Sequence, residues 1–173
     1  MKHQFERINR LPPYVFSEVN EMKARARRAG LDIIDFGMGN PDSPSPAHVV
    51  EKLVEAVRDP RTHRYSTSRG IKGLRRALAN YYQRRFDVTL DPDEEVIVTL
   101  GSKEGLANLA SAISAPGDII LVPNPSYPIH PYGFIIAGAS VRHVPTGPDF
   151  DLMAEMHRAV KNSTPSPRAL VLN

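Results

Sequence analysis

The chain has no cysteine. That excludes disulfides and thiolate metal sites. It also has no apolar run near the roughly 20 residues that a membrane-spanning helix requires. The first stretch, MKHQFERINRLPPYVF, lacks the continuous apolar segment of a secretory leader. Together these absences lead to the expectation of a cytoplasmic protein with no membrane attachment. Charge of one sign is scarce too, the net charge being only +3. The basic residues gather in KARARRAG and LRRALANYYQRR, which read as solvated faces of amphipathic helices. A nucleic-acid partner, which would need a continuous basic patch, is not expected. Several phosphate-binding and catalytic signatures are missing as well. There is no G-x-x-x-x-G-K-[ST] loop, no H-E-x-x-H and no G-x-S-x-G. GMGNPD begins like a dinucleotide fingerprint but lacks its last glycine and the following helix.

What is present is an ordinary globular composition, 41% hydrophobic and 24% charged over 173 residues. LPPYVFSEVNEMKARARRAG reads as a proline-led helix closed by Gly30, and DIIDFG as a short strand. A loop rich in Gly, Pro, Asn, Asp and Ser follows, then two helical segments separated by PRTHRYSTSRG. Beyond these the pattern alternates. EVIVTL, DIILVPN, SVRHVP and RALVLN read as strands, with helical periodicity between them. YPIHPYGFIIAGA reads as a short helix broken by Pro128 and Pro131. Strands alternating with helices predict an α/β fold with a mostly parallel sheet. The change of character near Pro46 divides the chain at 1–45 and 46–173. Ligands of open α/β sheets bind beyond the carboxyl ends of the strands, and RALVLN stops where such a loop would begin, which reads as a truncated sheet.

The stretch TLGSKEG, residues 99–105, is the most pointed chemical signal. A cation at the start of a helix opposes the positive end of the macrodipole. Gly101 permits a sharp turn, Ser102 suits an N-cap, and Lys103 adds a full positive charge to the N–H groups of the first turn. This set fits a phosphate or a carboxylate. Taken alone, it is also what an ordinary capped helix with a surface lysine would show. Tyr127, between Pro125 and Pro128 at a strand's carboxyl end, is placed to stack on a flat ring or to pack under its own turn. Tyr65 lies in a polar loop, and Gly37 and Gly39 leave the backbone open to close approach. A flat ring carrying a phosphate would use all of these features, and pyridoxal 5′-phosphate has that shape.

Five stretches in order, LPPYVFSEV, IIDFGMGNPD, HRYSTSRGIKGLRRALANYY, VTLGSKEGL and ILVPNPSYPIHPYG, resemble class I/II aminotransferases of pyridoxal-phosphate fold type I. Bacterial glutamate–pyruvate (alanine) aminotransferases are the nearest likeness, and diaminopimelate aminotransferases are similar around the first two stretches. The resemblance implies a three-layer α/β/α fold, with 1–45 as N-terminal arm and small-domain segment and 46–173 as the first part of the large domain. It implies amino acid and 2-oxo acid substrates and a homodimer. Ser102 and Lys103 would bind the cofactor phosphate, Tyr127 would stack on the ring, and Tyr65 would reach the phosphate in the partner subunit. Gly39 would meet the substrate carboxylate through its backbone, and Tyr14 would close over the substrate. No catalytic residue is assigned, because the family's Schiff-base lysine lies beyond residue 173; the 173-residue chain alone is expected to be inactive, and the alternatives are a non-catalytic phosphate- or cofactor-binding module from a truncated aminotransferase gene and a diaminopimelate-type aminotransferase.

Overall fold

The computed structural model describes residues 5–9, 11–37, 39 and 41–173. Met38 and Asn40 of GMGNPD, together with residues 1–4 and Arg10 of the N-terminal stretch, lie outside the described residues. The chain forms two units, Met1–Met22 with Leu100–Asn173, and Lys23–Thr99.

The first unit is built around one strand. β1 (Ile119–Asn124) pairs in parallel with β2 (Ser140–Pro145), from Ile119 opposite Ser140 to Asn124 opposite Pro145. On its other side β1 pairs in parallel with β3 (Ala169–Leu170), giving the order β2-β1-β3. Side chains alternate across a strand. Ile120 and Val122 therefore point one way, into a cluster with Ala110, Phe134 and Ala139. Ile119 and Leu121 point the other way, onto Val144, Leu152, Met156 and Ala159. A central parallel strand covered on both faces reads as an unbroken apolar run, and IILV is one.

The helices supply the two covers, so the sheet is the middle of three layers, α/β/α. On one face lie α5 (Ser102–Ile113) and α6 (Ile129–Ala137); on the other lies α7 (Leu152–Lys161). The connection from β1 to β2 runs through α6, and the return across β1 to β3 runs through α7. Crossovers of one hand running in opposite directions must use opposite faces. α6 packs against α5 at residue 133, a glycine. A Cβ there would lie 3.7 Å from both the Ala107 Cα and the Ala110 Cβ, so any longer side chain would push the helices apart. Proline does not break α6. Pro131 occupies its first turn, where the N–H has no helical partner to lose, and Pro128 precedes it.

The N-terminal part of this unit holds α1 (Glu6–Asn9) and the start of α2 (Val15–Arg28). The second unit contains α3 (Ala47–Arg58), a short 3₁₀ turn over Pro60–Thr62 and α4 (Lys72–Phe86). Its most buried charge is Arg75, which donates to the Gly70 and Pro92 carbonyls and pairs with Asp93 at 2.9 Å. Lys23 pairs with Asp35, also at 2.9 Å.

Three strand expectations need correction. DIIDFG and EVIVTL carry no ladder among the described residues, and only Ala169–Leu170 of RALVLN pairs. In EVIVTL the Val98 N–H goes instead to the Arg69 carbonyl at 3.1 Å, and Ile97 is exposed. β-branched residues favour a pleated, half-buried surface, but a ladder also needs a neighbour in register.

Phe134 is 2% exposed at the centre of the α5–α6–sheet cluster. Phe134→Ala should therefore cost about 3–5 kcal/mol of stability. Ile136→Ala, on the outer face of the same helix, should cost well under half of that. Urea denaturation of the two variants side by side checks the difference.

Candidate functional site

The carboxyl end of β1 leads through Pro125-Ser126-Tyr127-Pro128 into α6. This loop, the start of α5 and the N-terminal stretch together form an open cleft of about 120 Å³. Tyr14, Lys103, Tyr127, Pro128, Ile129 and Tyr132 line it. Sites for small molecules commonly enclose 300–1,000 Å³, so this cleft by itself has room for only a few heavy atoms.

Gly101, not Ser102, is the N-cap of α5. Its φ of 89° lies in the left-handed region, which glycine enters without strain. Ser102 is thus the first helical residue. Ser102 and Lys103 are both exposed. The first-turn carboxylate, Glu104, turns back to accept the Leu100 N–H, much as a capping box does. What the helix start then presents outward is N–H groups, a hydroxyl and an ammonium. That is a donor-rich set at the positive end of a helix, suited to an oxyanion.

The Lys103 ammonium lies 5.1 Å from the centroid of the Tyr127 ring. A hydrogen bond with the Tyr127 hydroxyl holds the Lys103 pKa above the usual lysine value, helped by the charge of that tyrosine and, more weakly, of Tyr14; desolvation opposes the shift. Tyr127 is 39% exposed, its ring inclined at 69° to that of His130 with centroids 6.0 Å apart, so part of it is open to a ligand. Tyr14 is 49% exposed and its ring centroid is 5.5 Å from that of Phe16.

Of the six binding residues singled out in the sequence, the structure brings Tyr14, Lys103 and Tyr127 to one cleft, with Ser102 preceding Lys103 at the helix start. Tyr65 and Gly39 belong to the Lys23–Thr99 unit. Tyr65 is fully exposed there. Nothing lies within 4 Å of a Cβ built on Gly39, so packing within the chain does not demand glycine at that position. Sequence reasoning overlooked Tyr132. Its hydroxyl donates to the main chain of residues more than a hundred positions earlier, a relation that no local pattern signals. Among the described residues no cluster of His, Asp or Glu could hold a metal ion, and no helix is long and apolar enough to cross a membrane.

The sequence profile of aminotransferase class I and II matches residues 31–172. The glutamate–pyruvate aminotransferase AlaC of Escherichia coli K12 is 56% identical over 171 residues, which are 99% of this chain and 42% of that protein. An LL-diaminopimelate aminotransferase of Halothermothrix orenii is 44% identical over 140 residues, 81% of this chain and 36% of that protein. Among solved structures, a double mutant of Thermus thermophilus aspartate aminotransferase superposes with a TM-score of 0.86 at 33% identity, covering 100% of this chain and 45% of that one. The chain thus spans less than half the length of each of these relatives.

The raised Lys103 pKa has a definite sign. Its linked stabilisation is complete below the ordinary lysine pKa and is lost as pH rises through the folded value. Tyr127→Phe removes the leading cause, so the Lys103 titration should move down toward the ordinary value. Following the Lys103 Nζ resonance against pH checks this, and an unchanged midpoint would contradict the influence of Tyr127 on this lysine.

Proposed function

The chain belongs to the class I and II aminotransferase family, and from that premise we propose that its residues bind the phosphate and ring of pyridoxal 5′-phosphate. The enzyme moves an amino group between an amino acid and a 2-oxo acid, with alanine and glutamate as the preferred amino acids. The observation that carries the reading is the cleft in which Lys103, at the start of α5, meets Tyr127 and Tyr14. The fit to the cofactor is chemical. The helix start offers donors with its carboxylate turned away, and Tyr127 offers a partly open ring beside them. Identity is higher to the glutamate–pyruvate enzyme than to the diaminopimelate enzyme, 56% against 44%, which favours alanine and glutamate over diaminopimelate.

When bound, the cofactor supplies the electron sink for chemistry at the amino acid's α-carbon. The protein's share is orientation and charge. Lys103 and Ser102 hold the phosphate together with the first N–H groups of α5. The positive helix end and the ammonium oppose each other until a dianion lies between them, which accounts for a lysine at this position. Tyr127 stacks on the ring and fixes its plane. Tyr14 covers the substrate side, and the Gly39 backbone receives the substrate carboxylate where a side chain would intrude. Tyr65 reaches the phosphate bound in the partner of a homodimer. Residues 1–45 serve as arm and small-domain segment, and 46–173 as the first part of the cofactor-binding domain. The protein works in the cytoplasm.

Pyruvate formation from alanine and 2-oxoglutarate by the full-length protein tests the activity. In that protein Lys103→Ala should weaken pyridoxal-phosphate binding by at least about tenfold, the scale of a lost charge-assisted bond. Preference among amino donors should not change. A cofactor titration beside a substrate panel separates the two effects, and altered preference with intact cofactor affinity would refute the assignment.

A mixing experiment tests the shared site. Tyr65→Ala and Tyr127→Ala variants, each impaired alone, should regain activity when their subunits exchange, because one site of the hybrid dimer is then intact. Absence of recovery in a mixture shown to contain hybrids would place both residues in the same subunit's site.

A further inference from the structure

Tyr132 lines the cleft but has no part in the roles assigned above. It stands on α6, and its hydroxyl lies 2.9 Å from the Pro13 carbonyl oxygen and 3.2 Å from that of Pro12. A phenol has one proton to donate, so the two carbonyls share it, with Pro13 the nearer. Proline has no N–H, and its ring fixes φ. The Pro12-Pro13 segment therefore offers only carbonyls to an anchor, and it offers them in a restricted geometry. The anchored Pro13 carbonyl belongs to the peptide group that joins Tyr14. On its other side the Tyr14 carbonyl accepts the Ser17 N–H at 2.9 Å, where α2 begins. Tyr14 is thus held on both sides.

The anchor stands on the helix into which the ring wall of the cleft leads. Tyr127 leads through Pro128 into α6, Tyr132 lies one turn further on, and the next residue, Gly133, seats that helix on α5, which carries Lys103. We propose that Tyr132 is a positioning residue: it latches the LPPY segment to α6 so that the Tyr14 ring is presented to the Lys103–Tyr127 cleft. Its consequence for substrate rests on the aminotransferase reading; the latch itself does not.

The test uses Tyr132→Phe in the full-length protein, which keeps the ring and removes the donor. Loss of one neutral hydrogen bond predicts about a five-fold effect. The KM for the amino donor should rise about five-fold with kcat unchanged. Hydrogen exchange of the cofactor-free protein should speed up by a similar factor in the peptide spanning residues 14–19, while α5 and α6 keep their protection. In a Tyr14→Ala background Tyr132→Phe should add nothing to KM, as expected if it acts through Tyr14. The proposal is overturned by an unchanged KM, by a KM effect that persists without the Tyr14 ring, or by loss of protection spreading into α5 and α6. If the wild-type protein does not transaminate, the aminotransferase reading fails, and the exchange comparison still decides the latch: faster exchange confined to 14–19 supports it, and unchanged exchange overturns it.

Discussion

Four consecutive apolar residues, Ile119 to Val122, are buried on two opposite faces of one strand, and the placement of the cleft follows from that. Ile120 and Val122 need a cover on one side and receive α5 and α6; Ile119 and Leu121 need one on the other and receive α7. With β1 fixed in this way, its carboxyl end must leave the layer where α5 begins and α6 is about to begin. Tyr127 and Lys103 meet there although they are 24 positions apart in sequence. Burial of this kind is worth about 25 cal/mol for each Å² of apolar surface removed from water. The polar contacts of the cleft are exposed and add little to holding the fold. They are positioned by the core and free to serve a ligand.

The site itself is arranged by charge. A lysine at the positive end of a helix would be unfavourable in isolation, and two local arrangements accommodate it. The ammonium lies over the Tyr127 ring, 5.1 Å from its centroid, and Glu104 folds back on the Leu100 N–H instead of facing outward. An anion arriving at the helix start therefore finds donors already aimed and the nearby carboxylate already occupied. Little reorganisation is then required on binding, which is where preorganised sites gain their affinity.

Much of this was legible in the residues. The apolar run IILV, the helix after TLGSKEG and the tyrosine held between prolines are local signals, and each corresponds to a feature of the structure. The cap was misread by one position because a serine's hydroxyl suggests a cap, whereas the backbone turn at φ 89° is settled by the preceding glycine. Pro131 was misread because a proline is disruptive only beyond the first helical turn. DIIDFG and EVIVTL have strand-like composition but no ladder, since pairing depends on a partner that composition does not specify. Tyr132 was invisible for the same reason. Its bond to Pro13 spans 119 positions, and nothing in YPIHPYG marks which tyrosine will reach across the fold.

The two-sided burial of β1 also bears on how such a sequence can drift. A residue on a solvent-facing strand can change alone, but neighbouring positions of β1 answer to different partners. A larger side chain at residue 120 must be absorbed by Phe134 and the α5–α6 pair, and one at residue 121 by Leu152 and Met156 on α7. Variation along this strand should therefore be inherited as two interleaved sets of compensating changes, odd positions travelling with one helix layer and even positions with the other.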